Sequence, residues 1–219
     1  MASKIQQEVE DVTLRENGRK NNENREIVCQ IGIVKNSSVS GSALFQIGNT
    51  KVAAFVNGPH QITQRGGQAI GSSANFGAQK GLLNVRFFVT NFSAMDHRSD
   101  IKRDNKIKEF QRSLKSVFES VIMLESYPRS QIDLQICVLE SDGSFKSAAF
   151  NAVSLALMNA GIAMKDYLVA TTSGLMGNVA VLDLIYQEEK KQNCEFVIVH
   201  FSKSKKIAYI SLNCNKIKI

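Results

Sequence analysis

The chain has 219 residues, 43% of them hydrophobic, and a mean hydropathy of −0.13. That is length for one domain, or two small joined lobes, with enough apolar mass for a core. No run reaches the roughly 18 apolar residues of a membrane span. The net charge is +7, and it is concentrated: residues 98–115 carry seven Lys/Arg against three Asp/Glu, and residues 190–219 carry seven against one. Two basic stretches point toward a polyanion, with nucleic acid the first candidate, against the plainer reading of two solvated faces.

In chain order, residues 1–26 read as a polar, mobile arm, neither a secretory signal nor an acid-poor transit peptide, which places the protein in the cytosol or nucleus. "EIVCQIGIV", "GSALFQIGN" and "TKVAAFVNGP" read as short strands, the third closed by Pro59. Residues 61–81 hold five glycines and no hydrophobic period. Gly66 and Gly71 have the spacing of a phosphate loop, but Ser72-Ser73 stands where its Lys-Ser/Thr is needed, so a flexible loop is predicted and a P-loop is rejected. After a strand over 82–92, Ile107, Phe110, Leu114, Val117, Val121 and Leu124 fall on one face of a helix of about five turns, with Asp104 as N-cap.

The second half repeats this logic. "QIDLQICVLES" is a strand, "DGS" a tight turn, and "SAAFNAVSLALMNAG" a small-residue helix closed by Gly161. "DYLVATTSG", "NVAVLDLIYQ" and "CEFVIVHFSKSKKIAYISL" read as strands, the last a hairpin turning at Lys203–Lys206. The alternation predicts an α/β (α+β) fold with mixed sheets packed against helices. Cys29, Cys137, Cys194 and Cys214 form no CxxC pair, and His60, His97 and His200 stand apart, so zinc is not expected and all four cysteines are read as free thiols.

Within "DLIYQEEKKQNCEF" (183–196), Asp183, Glu188, Glu189 and Glu195 are spaced either to hold a metal or move a proton, or to form the wet end of a hairpin. Asp142 and Ser144 are ordinary helix-capping residues, and their helix N-terminus equally suits an anion.

"GSALFQIGNTKVAAFVNGP", "YPRSQIDLQICVLESDGS" and "NAVSLALMNAGIAMKDYL" resemble, in that order, the RNase PH-like family, and within it the ring subunits of the exosome. The leader "LRENGRKNNENRE" is similar to that family's arginine-bearing N-terminal segment. The resemblance implies two halves like domain 2 of ribosomal protein S5, here an arm over 1–26 and one domain over 27–219. It also implies a hexameric ring of RNase PH-like subunits around an RNA channel, with cap subunits and a partner nuclease, in the nucleus (nucleolus included) and cytoplasm.

Active relatives degrade RNA from its 3′ end with inorganic phosphate. Their Gly-Thr-Arg phosphate turn corresponds to Ser144-Phe145-Lys146, followed by Ser147; lysine keeps the charge and loses the two-pronged grip. Their two aspartates correspond to Glu189 and Glu195, each displaced by a methylene, with Asp183 retained at the strand end. RNA contacts are implied at Arg98, Lys102, Arg103 and Lys106, and at Arg65 on the glycine-rich loop. Relatives continue into a further C-terminal helix where this chain ends at "NCNKIKI". The pattern implies a noncatalytic channel subunit for single-stranded RNA, without cofactor. The alternative is an active phosphorolytic exoribonuclease, which would use phosphate and magnesium.

Overall fold

Alternating apolar residues pair into two sheets in the computed structural model, which describes residues 15, 17–35, 38–61, 80–93, 105–177 and 179–214. The first sheet has the order β1-β2-β3-β5-β4, from Ile27–Ile31 (β1), Gly41–Ile47 (β2), Thr50–Gln61 (β3), Leu82–Val89 (β4) and Ser130–Glu140 (β5). Only the β4–β5 pair is parallel. The second sheet is antiparallel with the order β7-β6-β8-β9, from Leu168–Met176 (β6), Val179–Leu182 (β7), Cys194–Phe201 (β8) and Ile207–Cys214 (β9).

The helix Phe145–Asn159 (α2) touches both sheets, which explains its composition: Ala148, Ala149, Phe150, Ala152, Val153 and Ala156 are fully buried on nearly every side. Small side chains let strands approach closely. A Cβ at Gly41 of β2 would collide with the backbone of Ala156 and Ala160. The amphipathic helix Asn105–Val121 (α1) buries the predicted stripe of Ile107, Phe110, Leu114, Val117 and Val121 against the first sheet. An aromatic chain runs through this core, with Phe87 edge-on to Phe110 (5.1 Å), Phe110 to Phe150 (5.7 Å), and Phe150 against Tyr209 (5.6 Å).

Four expectations are corrected. Pro59 does not end β3, which runs to Gln61 through a register shift between Asn57 and His60, where the lost N–H is tolerated. The long helix ends at Val121, and Leu124 belongs to a separate 3-10 turn over Leu124–Ser126. The strand predicted over "NVAVLDLIYQ" stops at Leu182: Asp183 takes a left-handed conformation (φ 52°) and Tyr186–Lys191 forms a short helix (α3). Finally, Cys194 and Cys214 are not free. The β8–β9 register sets them opposite one another, Cα atoms 4.0 Å apart, and they form a disulfide, while Cys29 and Cys137 are free thiols. Asp104, the expected N-cap, lies outside the described residues.

Candidate functional site

The turn entering α2 is built to approach another turn. Thr50 ties it from below, donating its hydroxyl to the Gly143 carbonyl (2.7 Å) and accepting the Asp142 N–H (3.0 Å). Gly143 has φ 81°, and a Cβ there would strike the Leu184 carbonyl oxygen, so only glycine lets this turn meet the segment after β7. Ser144, at the N-cap with φ 57°, makes no capping bond with its side chain; its hydroxyl donates to the Leu184 carbonyl (3.0 Å). Ser147 is buried, with its hydroxyl donating to the Ser144 carbonyl (2.9 Å) and accepting from Thr172 (2.9 Å).

The cap comes from elsewhere in the fold. Glu189 on α3 accepts the Ser144 N–H (2.7 Å), so a carboxylate oxygen occupies the helix-entry position where an anion is stabilised. Beside it, Lys146 pairs with Glu195 of β8 (2.8 Å), with little of either side chain exposed. Burial, reinforced by the charge of Glu195, pushes the Glu189 carboxyl up to about 7, against the Ser144 N–H and the charge of Lys146, which favour ionisation. Phe145, the residue between, turns its ring into the core, stacked near Phe87 (6.5 Å) and edge-on to Phe110 (6.1 Å).

The other two carboxylates belong to the leader. Asp183 is 3% exposed; it accepts from the side chain of Arg25 (2.7 and 2.8 Å), the Arg25 backbone N–H (2.9 Å) and Arg19 (3.1 Å). Arg25 also donates to the Asp142 carbonyl (2.6 Å), linking this hub to the turn before α2. Glu188 is fully buried against Arg15, which grips it with two nitrogens and also donates to the carbonyls of Leu182 and Asp183 (both 2.7 Å). Glu188 accepts the Ile185 N–H as well (3.0 Å), closing the start of α3. Burial works against ionisation at both acids. The Arg25 contacts outweigh it at Asp183 and the Arg15 contacts outweigh it at Glu188, holding both below the usual carboxylate range. Of the arm drawn over residues 1–26, the described part is therefore tied to the second half of the chain through three arginines.

Lys106, at the start of α1, shares a cleft of about 370 Å³ with Phe145, Lys146, Tyr209 and the end of β9. The fold thus brings together Glu189, Glu195, Ser144, Lys146 and Ser147, with Lys106 lining the same cleft as Lys146. Arg65, Arg98, Lys102 and Arg103 lie outside the described residues. Sequence reading did not single out Arg15, Arg19 and Arg25 as partners of the acidic stretch. The signal was the recurrence of arginine in an otherwise polar leader.

A mixed sheet joined to a second, antiparallel sheet through a shared buried helix, with a glycine turn feeding that helix, defines an α/β domain with sheets packed against helices. The family model for the 3′ exoribonuclease family, domain 1 (RNase PH) matches residues 23–163, and the chain belongs to that family. It is 36% identical over 199 residues to the exosome complex component ski6 of Schizosaccharomyces pombe, covering 91% of this chain and 78% of that protein. It is 34% identical over 200 residues to the exosome complex component RRP41 homolog of Arabidopsis thaliana, covering 91% and 79%. Among solved structures, rice Rrp46 superposes with a TM-score of 0.75 at 24% identity, covering 93% of this chain and 87% of that one, a likeness of fold.

Proposed function

We propose that the chain is a noncatalytic ring subunit of an exosome core, of the Rrp41 type, that lines an RNA channel and leaves cleavage to a partner nuclease. One observation carries this reading: the groups that would receive phosphate are already engaged with one another. An entering phosphate would have to displace Glu189 from the Ser144 N–H and Glu195 from Lys146, and a displaced carboxylate repels it wherever it is ionised. A lysine in place of arginine further removes the paired donors that orient a phosphoryl group. The relatives are named as exosome complex components, which supports membership of such an assembly. On this reading the chain sits in a hexameric ring with other RNase PH-like subunits, joined by cap subunits, and works on RNA in the nucleus, nucleolus and cytoplasm.

RNA is held on this reading by cations without base readout. Lys106 is the described member of a set that extends through Arg98, Lys102 and Arg103, with Arg65 at the channel mouth. Binding of single strands then falls steeply with salt and depends little on sequence.

A second reading has one observation in its favour. A carboxyl raised to about 7 beside a lysine is what protonation of a leaving oxygen requires, and Glu189 is such a group. Single-turnover decay of a 5′-labelled unstructured RNA separates the two. The chain alone and the chain reconstituted with its ring neighbours are each tested with and without phosphate and magnesium. Intact RNA, bound in a salt-sensitive manner, is expected. Phosphate-dependent shortening from the 3′ end, lost in Glu189→Gln, would establish the enzyme instead.

A further inference from the structure

The edges of the two sheets leave an uncharged opening. β1 is the outermost strand of the first sheet, and its sequence Ile27-Val28-Cys29-Gln30-Ile31 holds neither a charge nor a proline. Ile27 is 50% exposed and Ile31 63%. Bare edges of this kind invite pairing, and folded proteins usually blunt them with lysine, proline or a covering segment.

The hydrogen-bond parity of β1 shows which groups are on offer. The Gly48 N–H donates to the Glu26 carbonyl and the Gly32 N–H to the Ser42 carbonyl, so even-numbered residues are the ones bonded to β2. The peptide groups of Ile27, Cys29 and Ile31 therefore turn outward, and no strand among the described residues pairs with them.

Facing this edge is a groove of about 350 Å³ with an apolar lining. Ile27 and Cys29 form one wall, β6 the other, and Asn151, Ser154, Leu155 and Met158 of α2 the floor. The β6 wall is closed to pairing, because Asn151 bonds both the N–H and the carbonyl of Ala170 and the Asp183 N–H takes the Thr172 carbonyl. In the floor, Ser154 is 2% exposed and its hydroxyl finds no partner among the described residues. The one acid on the groove, Asp183, is neutralised by Arg19 and Arg25.

We infer that the β1 edge and its groove take an extended, uncharged apolar strand from a non-identical neighbouring protein subunit. Its backbone pairs with Ile27, Cys29 and Ile31, and one side chain is seated over Ser154. RNA does not suit this face, since no cation among the described residues lines it to meet phosphates. A second copy of the chain suits it poorly, because two copies joined about a twofold axis would set groove against groove, with no knob to fill either. The inference rests on the ring reading above and adds a location to it.

The test uses the full chain, expressed with each RNase PH-like ring subunit of the same organism. Assembly is followed by sedimentation, and backbone protection by hydrogen exchange. On assembly the amides of Ile27, Cys29 and Ile31 should slow by roughly tenfold or more, while those of Val28 and Gln30, already bonded, change little. Ile31→Lys places a charge on the edge, and Cys29→Pro removes an outward N–H without touching the β2 ladder. Each should weaken the pairing roughly 30-fold or more while RNA binding by the isolated chain is retained. Cys29→Ala serves as the control for the lost thiol, and Ile31→Lys suffices if the proline variant does not fold.

Assembly at wild-type strength by both edge variants, with Ile27, Cys29 and Ile31 exchanging freely, would overturn the inference and leave the ring reading standing. Self-association through β1 would overturn it in favour of a second copy. Failure of the wild-type chain to join any of these subunits would overturn both.

Discussion

Of the four carboxylates in the short stretch between residues 183 and 195, Glu189 meets the opposite electrostatic fate from Asp183 and Glu188. Asp183 and Glu188 are the more buried pair, yet they stay ionised because the guanidinium groups of Arg25 and Arg15 face them squarely. Glu195 pairs with Lys146, while Glu189 has no ion-pair partner among the described residues, and burial drives it toward its neutral form against the weaker pull of Lys146 and Arg25. Burial alone does not decide the charge of an acid; the number and geometry of its cationic partners do. One pair has become the lock that fastens the leader to the second sheet. The other is engaged at the entry to α2, Glu189 with the Ser144 N–H and Glu195 with Lys146.

The strongest way to break the first pair is Asp183→Ala. It strands Arg25 and Arg19 in a hub where their side chains are 8% and 12% exposed, and it unlinks the turn that feeds α2. Removing one partner of such a pair typically costs about 3–5 kcal/mol, which for a domain of this size lowers the melting temperature by about 10 °C. Thermal unfolding followed by circular dichroism measures it. Proteolysis at Lys20 should also accelerate, because the leader loses its anchor. An unchanged melting temperature would mean that the arginines are held by their carbonyl contacts and that Asp183 is dispensable.

The stripe on α1 was legible because Ile107 through Val121 repeat every three or four residues, a period that only a helix satisfies. The same holds for the turn before α2, where Asp-Gly-Ser allows little else. The strand drawn through Asp183 failed for a physical reason. "NVAVLDLIYQ" is apolar enough for β structure, but Arg19 and Arg25, more than 150 positions away in sequence, capture Asp183 and hold the chain in a turn there. The Cys194–Cys214 pair was equally out of reach. Neither residue sits in a motif, and only the β8–β9 register sets them opposite each other. The candidate site was visible as a set of residues, but its wiring was not, since each carboxylate's role depends on a partner from another element.

The second pair gives a pH signature that the first lacks. The Glu189 carboxyl stands near 7 in the folded chain, above its ordinary value of roughly 4.3, so the folded state binds the extra proton. Its stabilising contribution is full below the ordinary value and is lost as pH rises through about 7. Asp183 and Glu188 are shifted the other way; their contribution is present above the ordinary carboxylate value and is lost only in acid. Denaturant unfolding between pH 5 and 8 therefore isolates Glu189. Wild type should lose about 2 kcal/mol relative to Glu189→Gln across that range, the histidine contributions cancelling in the difference. Parallel pH profiles would show that the charge of Lys146 and the Ser144 N–H hold the carboxylate ionised after all.

The smallest effect, and the sharpest test of how far these residues act as a unit, lies in the Lys146–Glu195 pair. It is one contact of 2.8 Å between partly buried groups, with none of the forked geometry that Arg15 and Arg25 enjoy. A double-mutant cycle with Lys146→Ala and Glu195→Ala should return a coupling of about 1 kcal/mol or less, shrinking in high salt. Lys146→Arg should raise that coupling by adding a second donor. Repeating the cycle in the Glu189→Gln background carries the comparison to its end. With Glu189 neutral at all pH values, Glu195 is the last acid competing for Lys146, and inorganic phosphate has one fewer like charge to displace. If phosphate then binds and abolishes the coupling, the seat is closed by its own carboxylates and by nothing else. If the coupling persists in the presence of phosphate, the packing of Phe145 into the aromatic core has closed the seat independently of charge.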